Sequence, residues 1–218
     1  ARRGRPLPAT GISGGEWTLI ILVTVFGSAF FTVQRNIGSW PGGRIRVGSM
    51  ELFGEAFDYA VAPEQRKVGK TPKVVIENAR GNTRVVGADT DEVRVSGRKT
   101  VRAMRRSDAD QTDRQTPLEI TTAGERVVIR TNLERAPGDQ RASVDLEVAV
   151  PRGASVEGRG RLGDFEINDI LGNVEIESDN AGIRLQNIGG NARLEARRSD
   201  IFRVVGLKGS LDIRSGRG

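Results

Sequence analysis

The sequence predicts an all-β protein: a β-solenoid or β-helix-like domain of about 18–19-residue coils, preceded by one N-terminal transmembrane α-helix. Three observations predict it. The stretch NVEIESDNAGIRLQNIGG (173–190) returns as NARLEARRSDIFRVVGLKG (191–209) with its apolar residues in the same places. Within each copy those residues stand two apart, which is strand alternation and not a helical stripe. Far upstream lies one long uncharged apolar run, Trp17 to Val33.

Taken in chain order, residues 1–16 read as a cytoplasmic tail. ARRGRP places Arg2, Arg3 and Arg5 ahead of the apolar run, and positive charge stays on the cytoplasmic side. Residues 17–34 read as an uncleaved signal-anchor, because no small-residue cleavage site follows. At ~1.5 Å per residue the run reaches roughly 25 Å, close to the ~30 Å hydrocarbon core. Trp17 and Trp40 are suited to the two interfaces, with Gln34 and Arg35 extending outwards. Thr24, Gly27, Ser28 and Thr32 form a small-residue stripe of the kind that lets a second helix approach, though such residues are common in any spanning helix. The orientation puts the rest of the chain outside the cytoplasm, single-pass, in the periplasm of a bacterial inner membrane; Arg44 and Arg46 oppose it.

Residues 35–54 make a juxtamembrane linker, and the domain proper is expected over 55–218, beginning with a strand at 55–61. Further strands are expected at Leu118–Thr122, Arg126–Thr131 and Ser143–Val150. AMRRSDADQTDRQTP (103–117) is polar throughout and reads as an exposed excursion. In the last third the repeat generates five columns of equivalent residues. They are Phe165/Ile183/Phe202, Ile167/Leu185/Val204, Ile170/Ile188/Leu207, Val174/Ala192/Leu211 and Ile176/Leu194/Ile213. Strands stacked ~4.8 Å apart would pile each set into an internal core that no single coil could bury alone. Outward positions form charged columns, Glu166/Arg184/Arg203 and Glu175/Arg193/Asp212, in which Arg184 above Arg203 is a conflict unless an acidic group relieves it.

The pattern LGDFEINDILGNVEIES followed by NAGIRLQNIGGNARLEA resembles the bacterial putative-adhesin β-solenoid family, whose function is unassigned. That family repeats Ser-Gly-Asp, strand, Gly, strand. Upstream, KVVIENARGNTRVVGADTDEVRVSGRKTV (73–101) is similar to its opening strands, so the resemblance covers about residues 55–218. This chain departs from the pattern, because Gly-Asp survives only at Gly163–Asp164 and becomes Ala181–Gly182 and Ser199–Asp200. The resemblance implies a solenoid fold and an extracytoplasmic setting, and brings no catalytic residue with it.

Composition narrows function mainly by exclusion. With no Cys and no His, disulfides, thiolate nucleophiles, His-dependent triads and nearly all zinc or haem sites are removed. The net charge of +6 lacks the interleaved aromatics of a nucleic-acid groove, so no nucleic-acid partner is expected. Asp164, Asp169, Asp179 and Asp200 are the carboxylates a polysaccharide-cleaving helix would use. Asp in β-turns is an ordinary turn former, however, and no enzyme, cofactor, metal or small-molecule substrate is expected. Arg197, Arg198 and Arg203 form the basic edge of one coil, suited to an acidic protein or anionic lipid.

The final SLDIRSGRG makes an unfinished coil whose edge calls for a cap or neighbour. Together with the anchor, this favours a structural subunit docked on a larger membrane complex, with photosynthetic or respiratory assemblies as hosts. The alternative is a free surface module, adhesin-like, that binds glycan or protein. Few aromatics are available to stack on sugar rings, with one Tyr and two Trp in the chain.

Overall fold

The computed structural model describes residues 54–137, 141–198 and 201–216, all within the compact unit Glu51–Gly218. The expected anchor with Trp17, Thr24, Gly27, Ser28, Thr32 and Trp40 lies outside the described residues. Among the described residues no helix is long and apolar enough to cross a membrane.

The described residues are predominantly β. In chain order they form β1 (Glu55–Lys67), β2 (Lys73–Arg80), β3 (Thr83–Ala88), β4 (Glu92–Ala103), helix α1 (Arg106–Gln115), β5 (Glu119–Ala123) and β6 (Arg126–Arg130). A 3-10 turn at Leu133–Arg135 precedes β7 (Arg141–Pro151), β8 (Ser155–Leu162), β9 (Phe165–Asn168), β10 (Val174–Asn180) and β11 (Ile183–Ile188). The last strands are β12 (Ala192–Ala196), β13 (Phe202–Leu207) and β14 (Leu211–Ser215).

Two mixed seven-stranded sheets result, ordered β1-β4-β7-β3-β9-β11-β13 and β14-β12-β10-β8-β2-β6-β5. From β8 onward the chain alternates between the sheets, and from β10 onward every new strand pairs in parallel with the strand two before it. The pairing places Ile183 between Phe165 and Phe202, and Leu185 between Ile167 and Val204. In the other sheet Val174, Ala192 and Leu211 are in register, as are Ile176, Leu194 and Ile213. The ladder also extends upstream of the visible repeat, since Val156 pairs with both Val74 and Val174.

The N-terminal half departs from the uniform coils expected from residue 55. There β4 runs antiparallel to both β1 and β7, and β5 antiparallel to β6. The cause in the second case is a tight hairpin. Ala123 pairs with Arg126, leaving Gly124 and Glu125 as the loop, and Gly124 takes φ +60° at its first position, which suits a two-residue hairpin turn.

A second correction concerns residues 103–117. They contain a helix, α1, packed on β4 and β1, where the sequence reading expected an exposed excursion. Its inward face consists of small residues, Ala109 and Thr112, so no apolar stripe announces it. Its C-terminal end is held by Lys99, buried on β4, whose ammonium donates to the Thr116 carbonyl at 2.6 Å and to the Asp113 carboxylate at 2.8 Å. Lysine there offsets the exposed carbonyls and the negative end of the helix. Tyr59 on β1, paired with Lys99 across the two strands, donates to Asp110 at 2.6 Å.

One continuous core lies between the sheets. Phe165, Ile167, Ile170, Val174, Ile176, Ile183, Leu185, Ile188 and Leu194 are buried in it. Phe165 needs space, and β8 provides it with glycine: a Cβ on Gly158 would sit 2.8 Å from the Phe165 ring, and one on Gly160 would sit 2.9 Å from it. The last two strands do not share this burial, which corrects the expectation for their five core positions. Phe202, Val204 and Leu207 are only partly buried, while Leu211 and Ile213 are 44% and 41% exposed. They stand on β13 and β14, the edge strands of the two sheets, where no further strand is described to cover them.

Polar side chains fix the corners where the chain passes between sheets. The Ser155 hydroxyl accepts from Asn173 N–H, the Asn173 amide oxygen from Asn191 N–H, and the Asn191 oxygen from Ser210 N–H, at 2.9–3.2 Å. A second column does the same at another corner, running from the Asp145 carboxylate to Asn82 N–H, from the Asn82 oxygen to Asp164 N–H, and from Asp164 to Gly182 N–H. Each side chain thereby satisfies a turn amide that lies outside the sheet ladders. Deeper in, the buried Asn78 amide donates to the Val144 carbonyl at 2.9 Å and accepts from Thr131.

Candidate functional site

The outward columns of the two sheets carry most of the chemistry. In the first sheet the register sets Glu147, Arg84, Glu166 and Arg184 side by side in alternating charge. The next member is Arg203, which repeats the sign of Arg184. Arg184 turns to Asp164 instead, 2.8 Å away, so the carboxylate the conflict required comes from the corner preceding β9. Arg203 is exposed at the end of the column.

The other two arginines of that basic edge lie in the corner after β12. Arg197 reaches Asp179 at 3.5 Å, and Arg198 is exposed with its backbone N–H bonded to the Asp179 carbonyl. The structure thus places Arg197 and Arg198 on one corner and Arg203 on the following strand, all in the last turn of chain.

The four carboxylates weighed for catalysis are not gathered. Asp164 caps a turn amide and pairs with Arg184. Asp169 adopts φ +60° in a turn and accepts from the Asn187 amide at 2.9 Å. Asp179 lies between Arg161 and Arg197, at 3.9 and 3.5 Å. Asp200 lies outside the described residues. Among the described residues no three acidic side chains converge as a metal site would require. A half-open depression of about 440 Å³ lies beside the 3-10 turn, lined by Leu133, Pro137, Leu162, Arg80 and Arg161, and of the three described carboxylates Asp179 borders it while Asp164 and Asp169 do not.

A cluster the sequence did not single out lies on the second sheet. Glu157 of β8 is almost wholly buried, 2.8 Å from Lys73 and 2.7 Å from Arg159. The hydrogen bond from Lys73 holds its carboxyl below the ordinary value of 4.5, against the opposing push of burial. The signal available was the alternating sequence VEGRG beside KVV, but its partner lay more than eighty residues upstream. A carboxylate with a depressed folded-state pKa contributes stability above the unfolded value, and that contribution is lost as pH falls through the folded one. Melting curves between pH 7 and 3 should therefore fall off below pH 4.5. In Lys73→Met the fall should be shallower and the neutral-pH melting point lower.

Tyr59 titrates in the opposite sense. Burial, and then its bond to Asp110, push the phenol up to about 12 from its ordinary 10.0, so its contribution holds below pH 10 and fades above it.

No protein-family model and no curated protein matches the chain. Solved structures similar to it include a putative cell adhesion protein from Clostridium sporogenes, at 10% identity and a TM-score of 0.32, covering 71% of this chain and 99% of that one. Another is a putative adhesin from Bacteroides fragilis, at 10% identity and a TM-score of 0.28, covering 74% of this chain and 97% of that one. Overlaps this loose establish no common fold.

Proposed function

We propose that the chain is a non-catalytic, adhesin-like binding module: a β-solenoid over residues 55–218, carried outside the cytoplasm on the anchor at 17–34, that binds an anionic partner through its last coil. The observation that carries this reading is the broken alternation at Arg184 and Arg203. Like charges side by side on a sheet are unfavourable. Arg184 is answered by Asp164, but Arg203 at the end of the column, Arg198 in the neighbouring corner, and Arg161 and Arg197 sharing the single Asp179 leave an excess of positive charge that an acidic surface would neutralise. The family resemblance carried by Gly163–Asp164 implies an extracytoplasmic setting, which suits a binding module.

A subunit of a larger membrane complex is the reading that the unfinished last coil first suggests. The outward residues of β14, Asp212 and Arg214, lie 3.6 Å apart as an ion pair and present no net charge for a host subunit to dock on. Nor does any described element single out a host assembly.

The test uses the full chain in mild detergent and heparin as the polyanionic probe, with neutral dextran as control. Retention on heparin should fall steeply between about 0.05 and 0.5 M salt as screening shortens. The variant Arg197→Glu/Arg198→Glu/Arg203→Glu should lose retention while keeping the parent's circular dichroism spectrum. Equal retention of the variant would remove the basis of the proposal.

A further inference from the structure

A second basic corner lies far from the last coil, where β4 ends and α1 begins. Across β4 and β7, Arg102 stands directly opposite Arg141, and both are exposed. Like charges so placed are unfavourable. Arg105 and Arg106 follow in sequence, also exposed, with the Arg106 guanidinium 5.7 Å over the Phe57 ring. None of the four has an ion pair among the described residues. Glu55, opposite Ala103, and Asp108, in the first turn of α1, oppose them but pair with none, so positive charge is in excess. Further along the same outer face, Asp58 accepts from the Thr100 hydroxyl and Asp145 from Asn82 N–H. Among these arginines stands Met104, 76% exposed, the most exposed large apolar side chain among the described residues. The alternation that buries Val101 and Ala103 turns Arg102 outwards, and Met104 follows just past the end of the strand.

We propose that this corner is a membrane-contact site that seats the domain on anionic lipid headgroups. The chemistry selects the partner. An apolar tip among cations suits a surface that is negative at its face and apolar just beneath, and a bilayer with anionic lipids is such a surface. The guanidinium groups take the phosphates while Met104 enters between them. This rests on the anchored, extracytoplasmic reading above, and chain order agrees with it. The residues that lead on from the apolar run enter β1 at Glu55, opposite Ala103, and so at this corner. The contact also gives that reading a direction. In the first sheet β4 and β13 are five places apart, roughly 24 Å at the usual strand spacing, so lipid contact at β4 leaves the basic last coil clear of the bilayer.

The chain contains no cysteine, so a single one can be labelled. The test uses the full chain in vesicles of phosphatidylcholine, alone or with about one-third phosphatidylglycerol, each carrying a nitroxide lipid quencher just below the headgroup. A small fluorophore on Met104→Cys should be quenched in the anionic vesicles about threefold or more beyond one on Leu171→Cys. Leu171 is 59% exposed beside the far end of β7, where its N–H bonds to the Arg152 carbonyl. The contrast should vanish in phosphatidylcholine alone and shrink as salt rises to about 0.5 M. Adding Arg102→Gln/Arg105→Gln should bring quenching at position 104 down to the level at 171. Circular dichroism and melting temperature should be kept, since no ion pair is lost and the opposition to Arg141 is relieved. Retention on phosphatidylcholine vesicles at high salt reports the anchor alone, so the anchored reading and the contact site fail separately. Equal quenching at the two positions overturns the proposal, as does a contrast indifferent to lipid charge or one that survives the arginine substitutions.

Discussion

Gly163→Ala is expected to destabilise the domain by about 2–5 kcal/mol, read as a shift of the urea midpoint with the slope unchanged. Gly163 holds φ +135°, a conformation that side-chain-bearing residues rarely adopt. A Cβ there would also fall on the carbonyl of Gly81, which belongs to the neighbouring turn and cannot retreat, because its own N–H is bonded to the Leu162 carbonyl. Strain and overlap therefore add. Asp164, next in sequence, is a rung of the corner column, receiving from Gly182 and giving its N–H to Asn82, so the displaced turn would loosen that column as well. A loss below about 0.5 kcal/mol would show that this corner is far more pliable than its packing implies.

Ile183→Ala should cost about 2–5 kcal/mol, the range for deleting a large buried aliphatic side chain when its surroundings relax only partly. Ile183 is 0% exposed and lies between Phe165 and Phe202 in the ladder, so its removal opens space on both sides. The informative comparison is Ile213→Ala, the same chemistry on the edge strand, where the loss should stay under about 1 kcal/mol because the side chain is already 41% exposed. Chemical denaturation of both variants gives the two numbers. Comparable losses would mean that the repeat's columns are not what holds it together.

The sequence made the second half of the domain legible because its signal is periodic. Residues that recur every 18 or 19 positions, two apart within a strand, allow one geometry in which they all meet, and the pairing of Ile183 with Phe165 and Phe202 follows it. The first half repeats nothing. The antiparallel runs of β1, β4 and β7 rest on contacts between residues twenty-five or more positions apart, for which a single sequence holds no local mark. Helix α1 escaped because its buried face is only Ala109 and Thr112, and the Lys99 that holds its C-terminal end lies on another strand. Of the candidate site, the charge conflict at Arg184 and Arg203 was readable from the repeat, and the relief offered by Asp164 depended on how a corner folds. The Glu157 and Lys73 pair required both the strand order and the register, and neither is written in the neighbourhood of either residue.

The corner columns of Ser155, Asn173, Asn191 and Ser210 have a mechanical consequence. Each turn is moulded on the one before it, so a pull on the C-terminal end loads a single rung at a time instead of shearing a whole sheet at once. The protein would yield like a zip, one coil per event, each release paying out roughly 60 Å of chain for about eighteen residues at ~3.4 Å apiece.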